Sequence, residues 1–167
     1  VRPGVVFGPS ESGNVSRLIN AVIKGYFVFM GNNETKKAGI YIKELCNMMI
    51  WELKRQEENK FSLSLLNASM KPIPSVSNYF DAICEVAGIK RIKINIHYRL
   101  ILTVAYFIKF FLSPFGIGKE FNPIRIKKLV RSNLVESDYL KKNKYNFEFD
   151  LKNAFEDWKS LNPDDWK

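Results

Sequence analysis

An α/β body, or α+β if it folds as an isolated fragment, is what this sequence predicts, and three observations carry the prediction. Through the first two-thirds, short stretches with strand-like alternation are each followed by stretches whose apolar residues recur three and four apart. Gly, Pro, Asn and Ser cluster between them, where turns are needed. The 167 residues are 46% hydrophobic and 26% charged, which is ordinary for a folded domain with one core.

"RPGVVF" reads as a short buried strand, followed by the turn "GPSESG" in which Ser12 or Asn14 can cap a helix. The helix carries Val15, Leu18, Ile19, Val22 and Ile23 on one stripe and stops at Gly25. "YFVFMG" is a second strand, "NNETKK" a polar loop, and "AGIYI" a third strand. A helix from about Lys43 to Glu57 should turn Leu45, Met48, Met49 and Leu53 inward. "FSLSLLNAS" alternates as a half-exposed strand, and after "MKPIP" Ser75 caps a helix with the stripe Val76, Tyr79, Phe80, Ile83, Cys84 and Ala87, closed by Gly88. "RIKINI" alternates again and leads into the apolar run from Leu100. The last third is helical: "NPIRIKKLVRSN", "SDYLKKN", and "LKNAFEDWKSL" behind an Asp150 cap with Leu151, Ala154, Phe155 and Trp158 on one face.

Lys and Arg outnumber Asp and Glu by 26 to 17, a net charge of +9, which favours an anionic partner: nucleic acid, a membrane surface or a phosphorylated small molecule. The basic residues are scattered in pairs such as Lys36–Lys37 and Lys127–Lys128, where solvated helix faces would put them. Cys46 and Cys84 lie in helical segments with no CxxC spacing, so neither a disulfide framework nor a zinc site is expected, and the compartment should be reducing and cytoplasmic. The run "LILTVAYFIKFFLSPFGIG" is broken by Lys109 and Pro114, too early for a spanning helix. It is expected as a buried helix, with a place in the membrane interface, Arg99 and Lys109 at head-group level, as the alternative.

Catalytic signals are sparse. His97 is the single histidine, at a strand-to-helix junction without an assignable carboxylate partner, and is expected to be a packed junction residue. No phosphate-binding glycine loop, nucleophile elbow or metal-ligand cluster is present, and Glu57–Glu58 and Asp164–Asp165 read as solvated pairs. No catalytic residue and no metal is therefore expected in this chain. Asn14 and Arg17 at a helix start, Lys36 and Lys37 before a strand, and Arg125 after a proline remain as the makings of an anion pocket.

The succession "RPGVVFGP", "GNVSRLI", "GYFVFMGNN", "KKAGIYIKEL", then "NASMKPIPSVSNYFDAICEVAGI" and "NPIRIKKLVRSN" to "FDLKNAFEDWKSLNP" resembles the C-terminal part of extended short-chain dehydrogenase/reductases, the NAD-dependent epimerase/dehydratase family acting on nucleotide sugars. The resemblance is strongest to members in polysaccharide biosynthesis. It implies that residues 1–167 are the substrate-binding half of a Rossmann-type enzyme, with residues 1–13 a strand and turn from the edge of an absent dinucleotide-binding half. The family's glycine-rich turn is missing, and no tyrosine here has a lysine four positions on, so the chain alone is expected to be inactive.

By the same resemblance, the backbone of Gly4 and Val5 faces the nicotinamide end of NAD or NADP held by the parent protein. Asn14 and the backbone of Val15 contact the diphosphate of the nucleotide sugar, Val28 and Met30 border its base, and Lys37 and Arg125 are the phosphate cations. Lysine at 37 keeps the charge of the family's common arginine but lacks its planar fork. Partners so implied are a nucleotide-diphosphate sugar, the missing Rossmann half and, through the open strand edge at residues 2–7, a second copy. The rival reading is a non-enzymatic basic module for an anionic polymer or membrane surface. Nucleic acid is not expected, for want of an aromatic–basic stacking motif.

Overall fold

The computed structural model describes residues 1–60, 64–112 and 123–167, without the side chains at positions 105, 108, 109, 111, 112, 123, 125 and 126. Its order is β1 (Arg2–Pro3), β2 (Val5–Phe7), α1 (Asn14–Ile23), β3 (Phe29–Met30), β4 (Gly39–Tyr41), α2 (Ile42–Asn59), β5 (Asn67–Ala68), α3 (Val76–Ala87), β6 (Asn95–Ile96), α4 (Tyr98–Leu112), α5 (Pro123–Val130), α6 (Asp138–Lys142), α7 (Leu151–Leu161) and a closing 3-10 turn, Pro163–Trp166. The fold is α/β, with three two-stranded parallel ladders: β1 with β5, β2 with β4, and β3 with β6.

The segment expected to offer an open edge pairs within its own chain on one side of each half and, among the described residues, keeps an unpaired edge on the other, since both of its ladders are two-stranded. The amides of Arg2 and Gly4 donate to Leu66 and Ala68 at 2.6 and 2.8 Å, and the amide of Val5, facing the other way, donates to Ala38 at 2.9 Å. Each half thus has one paired side, and the switch falls at Gly4, where a Cβ would lie 2.7 Å from the Ala38 carbonyl oxygen.

Phe7 ends β2 at the centre of the core. Its ring meets Tyr41, Tyr79, Phe155 and Trp158 with centroids 5.8, 6.2, 5.6 and 6.2 Å apart, so one strand end, one neighbouring strand and two helices share an aromatic cluster. α3 packs against both α1 and α7. α3 and α7 follow their sequence patterns closely. The Ser75 hydroxyl accepts from the Asn78 amide while the Asn78 side chain accepts from the Ser75 amide, and Gly88 closes the helix at φ +71°. Asp150 accepts from the Asn153 amide at 2.8 Å, and Ala154, Phe155 and Trp158 are buried.

Several expectations are corrected. Neither Ser12 nor Asn14 caps α1: Glu11 folds back, its carboxylate accepting from the amide and hydroxyl of Ser16 at 2.9 and 2.6 Å. A Cβ at Gly13 would sit 2.0 Å from that carboxylate, so a larger residue there would displace the Glu11 side chain. On α2, Met48 is buried as expected, but Met49 and Leu53 are 46% and 58% exposed while Glu44 and Glu52 are buried at the i−4 and i+4 positions from Met48. The reason lies across the chain. Glu44 accepts from Tyr145 Oη at 2.6 Å and from the amides of Glu148 and Phe149 at 3.0 and 2.8 Å, and Glu52 accepts from Tyr139 Oη at 2.9 Å. Four donors from residues 139–149 make this face of α2 an acceptor surface.

α4 is not a buried helix. It packs chiefly on α5, and Leu100, Val104 and Tyr106 are exposed. The core is built chiefly where α3 packs on α1 and α7, and α4 turns only Ile101 and Leu102, both half-buried, inward among its described apolar side chains beyond Tyr98. Among the described residues no helix is long and apolar enough to cross a membrane. His97 is exposed rather than packed, its Nδ1 accepting from the Arg99 amide at 3.3 Å beside the start of α4. The strands are shorter than their alternation promised, with Ile92 and Ile94 exposed and ahead of β6, although the Ile94 carbonyl still accepts from the Phe29 amide at 2.8 Å. The strand expected over "FSLSLLNAS" falls partly on residues 61–63, outside the described residues.

Candidate functional site

The end of α5 takes up Lys37, one of the sequence-predicted site residues. Lys37 Nζ donates to the carbonyls of Lys128 and Arg131 at 3.1 and 2.7 Å, so its ammonium caps the carbonyl end of that helix, where the backbone dipole favours a cation. Burial holds the Lys37 amine below the ordinary lysine range. The backbone locks the same corner: Lys37 N donates to Pro74 O at 2.9 Å, Ala38 N to Asn133 O at 3.0 Å, and Asn133 N to Lys36 O at 2.9 Å. Asn133, which sequence reasoning missed, therefore staples the segment after α5 to the strand before β4.

Met30 ends β3, and Gly31, at φ +76°, carries the chain past α4 and α5. A Cβ at Gly31 would lie 3.4 Å from the Tyr98 Cβ and 3.9 Å from Val130. Val28 and Met30 are half-buried. Gly4 and Val5 reach the same corner from behind through the bond to Ala38. Arg125 is carried by α5, two turns or less from the Lys37 cap; its side chain is outside the described residues.

Asn14 and Val15 stand apart. Asn14 is exposed as the first residue of α1 and Val15 is buried in the core, and no described contact joins them to the α5 corner. Ser16 has its amide taken by Glu11, which leaves the amides of Asn14 and Val15 as the donors of this helix start, with a carboxylate already beside them. Arg17 is exposed on the same helix.

The amides of Gly4 and Val5 are both spent on carbonyls of this chain, and the room left by the missing Gly4 side chain is filled by Ala38. Among the described residues no group of three His, Cys, Asp or Glu side chains is set to hold a metal ion. A groove of about 370 Å³ runs beside the corner between Lys36, Lys71 and Lys141 on one hand and Glu136 and Asp138 on the other, and a second of about 240 Å³ lies by Phe27, Phe80 and Arg91. Of the residues singled out from the sequence for an anion pocket, Lys36 lines the larger groove, and neither groove is lined by a residue that the resemblance assigned to cofactor or substrate.

Glu11, Asn133 and Tyr79 were not legible as site-forming residues. Tyr79 Oη lies over Gly39, where a Cβ would be 2.2 Å away, and burial raises its phenol well above the usual range. "KKAG" was the available signal for Gly39: a glycine in the middle of a buried strand marks a close approach.

No family profile matches the sequence, and no curated protein matches it significantly. Solved structures do match in fold. A human epimerase family protein (isoform 2), crystallised with NADPH, aligns over 95% of this chain and 47% of its own, at a TM-score of 0.62 and 17% identity. The UDP-N-acetylglucosamine 4-epimerase of Bacillus cereus aligns over 96% and 44%, with a TM-score of 0.56 and 13% identity. The UDP-glucose 4-epimerase of Thermotoga maritima, solved with UDP-glucose, aligns over 96% and 45%, with a TM-score of 0.52 and 15% identity. The likeness at these identities is one of fold, and the chain spans less than half the length of each.

Proposed function

We propose that this chain forms the sugar-nucleotide side of the cleft in an NAD(P)-dependent epimerase, dehydratase or reductase of nucleotide sugars, with polysaccharide or cell-surface sugar biosynthesis as its setting. The observation that carries the reading is the epimerase-like fold over 95–96% of the chain. The larger share of each neighbour, which has no counterpart here, would hold NAD or NADP and supply the acid–base residues. Residues 1–13 would run along the edge of that half.

Within this reading Arg125, carried by α5, is the second phosphate cation. Lys37 holds α5 by two of its three N–H donors and keeps one for an anionic oxygen. Met30 and Val28 flank the base, and Asn14 with the Val15 amide meets the diphosphate beyond Glu11, whose charge favours a hydrogen bond from the Asn14 side-chain amide over a bare phosphate at the helix start.

Titration calorimetry of the purified chain with a UDP-sugar tests this directly. Binding is expected, weakened about 10- to 100-fold by Arg125→Ala as a charged hydrogen bond is lost. Absence of binding, or equal binding by the variant, refutes the assignment. NAD-dependent turnover of the UDP-sugar by this chain alone would refute the division of labour.

A further inference from the structure

Charge in this sequence is segregated. Residues 86–135 contain ten of the 26 Lys and Arg residues and one of the 17 Asp and Glu residues; outside that stretch the two kinds are equal in number, so it carries the whole net charge of +9. The same stretch exposes apolar surface. Among the described residues, ten of the eighteen large apolar side chains that stand exposed fall between Ile92 and Leu134. On α4 they share one arc: Leu100, Val104, Tyr106, Phe107 and Phe110 lie outward with Arg99 and Thr103, while Ile101 and Leu102 turn inward and are half-buried. Leu129 on α5 is exposed beside Lys127 and Lys128.

We infer that α4 and α5 seat this protein on a membrane surface bearing anionic lipid head groups. An apolar helix face rimmed by cations is what lies in the head-group boundary, with apolar side chains among the acyl chains and basic ends in the phosphate layer. No described helix can span a bilayer, so the contact is peripheral. A protein partner fits less well, because the cores of protein interfaces are depleted of lysine, whereas the stretch that exposes this apolar face holds ten Lys and Arg residues against one acidic one. The contrast with α2 is informative: its exposed Met49, Ile50 and Leu53 adjoin Lys54, Glu57 and Glu58, a mixed-sign rim with no preference for an anionic surface. This inference is independent of the sugar-nucleotide reading.

The experiment is co-sedimentation of the full 167-residue chain with vesicles of phosphatidylglycerol and phosphatidylcholine, against phosphatidylcholine alone. Retention is expected on the mixed vesicles only, falling with salt. Each cation at an anionic surface contributes about fivefold in binding, so Lys127→Gln with Lys128→Gln should weaken retention more than tenfold. Leu100→Ser with Val104→Ser, which leaves the charge unchanged, should weaken it by a similar factor. Retention unchanged in the serine variant means general polyanion binding and overturns the proposal, as does retention on neither vesicle or equally on both. A dimer in sedimentation velocity that the serine variant abolishes assigns the face to a second copy and overturns it too. Should a variant fold poorly by circular dichroism, Tyr106→Trp decides: phosphatidylglycerol with brominated tails should quench the added indole, and an unquenched indole overturns the proposal.

Discussion

Helices α2 and α4 are the two longest described, at 18 and 15 residues, and they meet the rest of the molecule in opposite ways. α2 turns two glutamates into the protein and leaves Met49 and Leu53 at the surface. α4, the most apolar helix of the chain, keeps its apolar arc outside. The difference shows that burial follows the surface a helix is offered. Residues 139–149 offer α2 four hydrogen-bond donors, so carboxylates are the complementary side chains there. α4 is offered chiefly α5.

The sharpest way to break this comparison is at Glu44. Glu44→Ala strands the Tyr145 hydroxyl and two amides, and should cost about 3 kcal/mol or more in urea unfolding, whereas Leu53→Ala should cost less than about 1 kcal/mol. Equal losses would mean that α2 is held by its apolar stripe after all. Arg55 comes next. Its guanidinium donates to Tyr139 Oη and Asn143 Oδ1 at 3.1 and 2.8 Å and stands 4.8 Å from the Trp51 ring, so Arg55→Met should lower stability by about 1–3 kcal/mol.

Asp157 gives a smaller, pH-dependent effect. Burial would raise its carboxyl, but the hydrogen bonds from Lys43 and Tyr41 and the Lys43 charge prevail and hold it below the unfolded value of 3.8. Its contribution is therefore present above that value and lost as pH falls through the lower folded one. The unfolding free-energy gap between the parent and Asp157→Asn should be about 1 kcal/mol at neutral pH and shrink below pH 4. Smallest of all, Leu100→Ser should leave stability within about 0.5 kcal/mol, and a loss several times larger in thermal melts would put α4 in the core.

What the sequence made legible was local. Ser75 with Asn78, Gly88, Asp150 and the stripes of α3 and α7 lie within a few residues of the contacts they make, and those helices match their expectation nearly residue by residue. The order of strands and helices followed for the same reason. The inward stripe expected on α2 left out Glu44 and Glu52, because their partners lie roughly 90 to 100 positions away. Lys37 read as a ligand-facing cation because the carbonyls it caps belong to a helix more than 90 residues later. The candidate site was legible as a set of residue types, and the α5 corner that assembles part of it was not, since Asn133 and the Gly31 passage depend on tertiary contact alone.

The closing turn has a temporal consequence. Asp165 accepts from the Ser10 amide across 155 positions of chain and from Trp158 Nε1, while Phe7 rests against Phe155 and Trp158. During synthesis the Phe7 ring meets Tyr41 and Tyr79 early, but must wait for almost every later residue of this stretch before Phe155 and Trp158 reach it. Until then the aromatic cluster is half built, so a chain halted before α7 should leave one side of the Phe7 ring uncovered and aggregate more readily than the finished one.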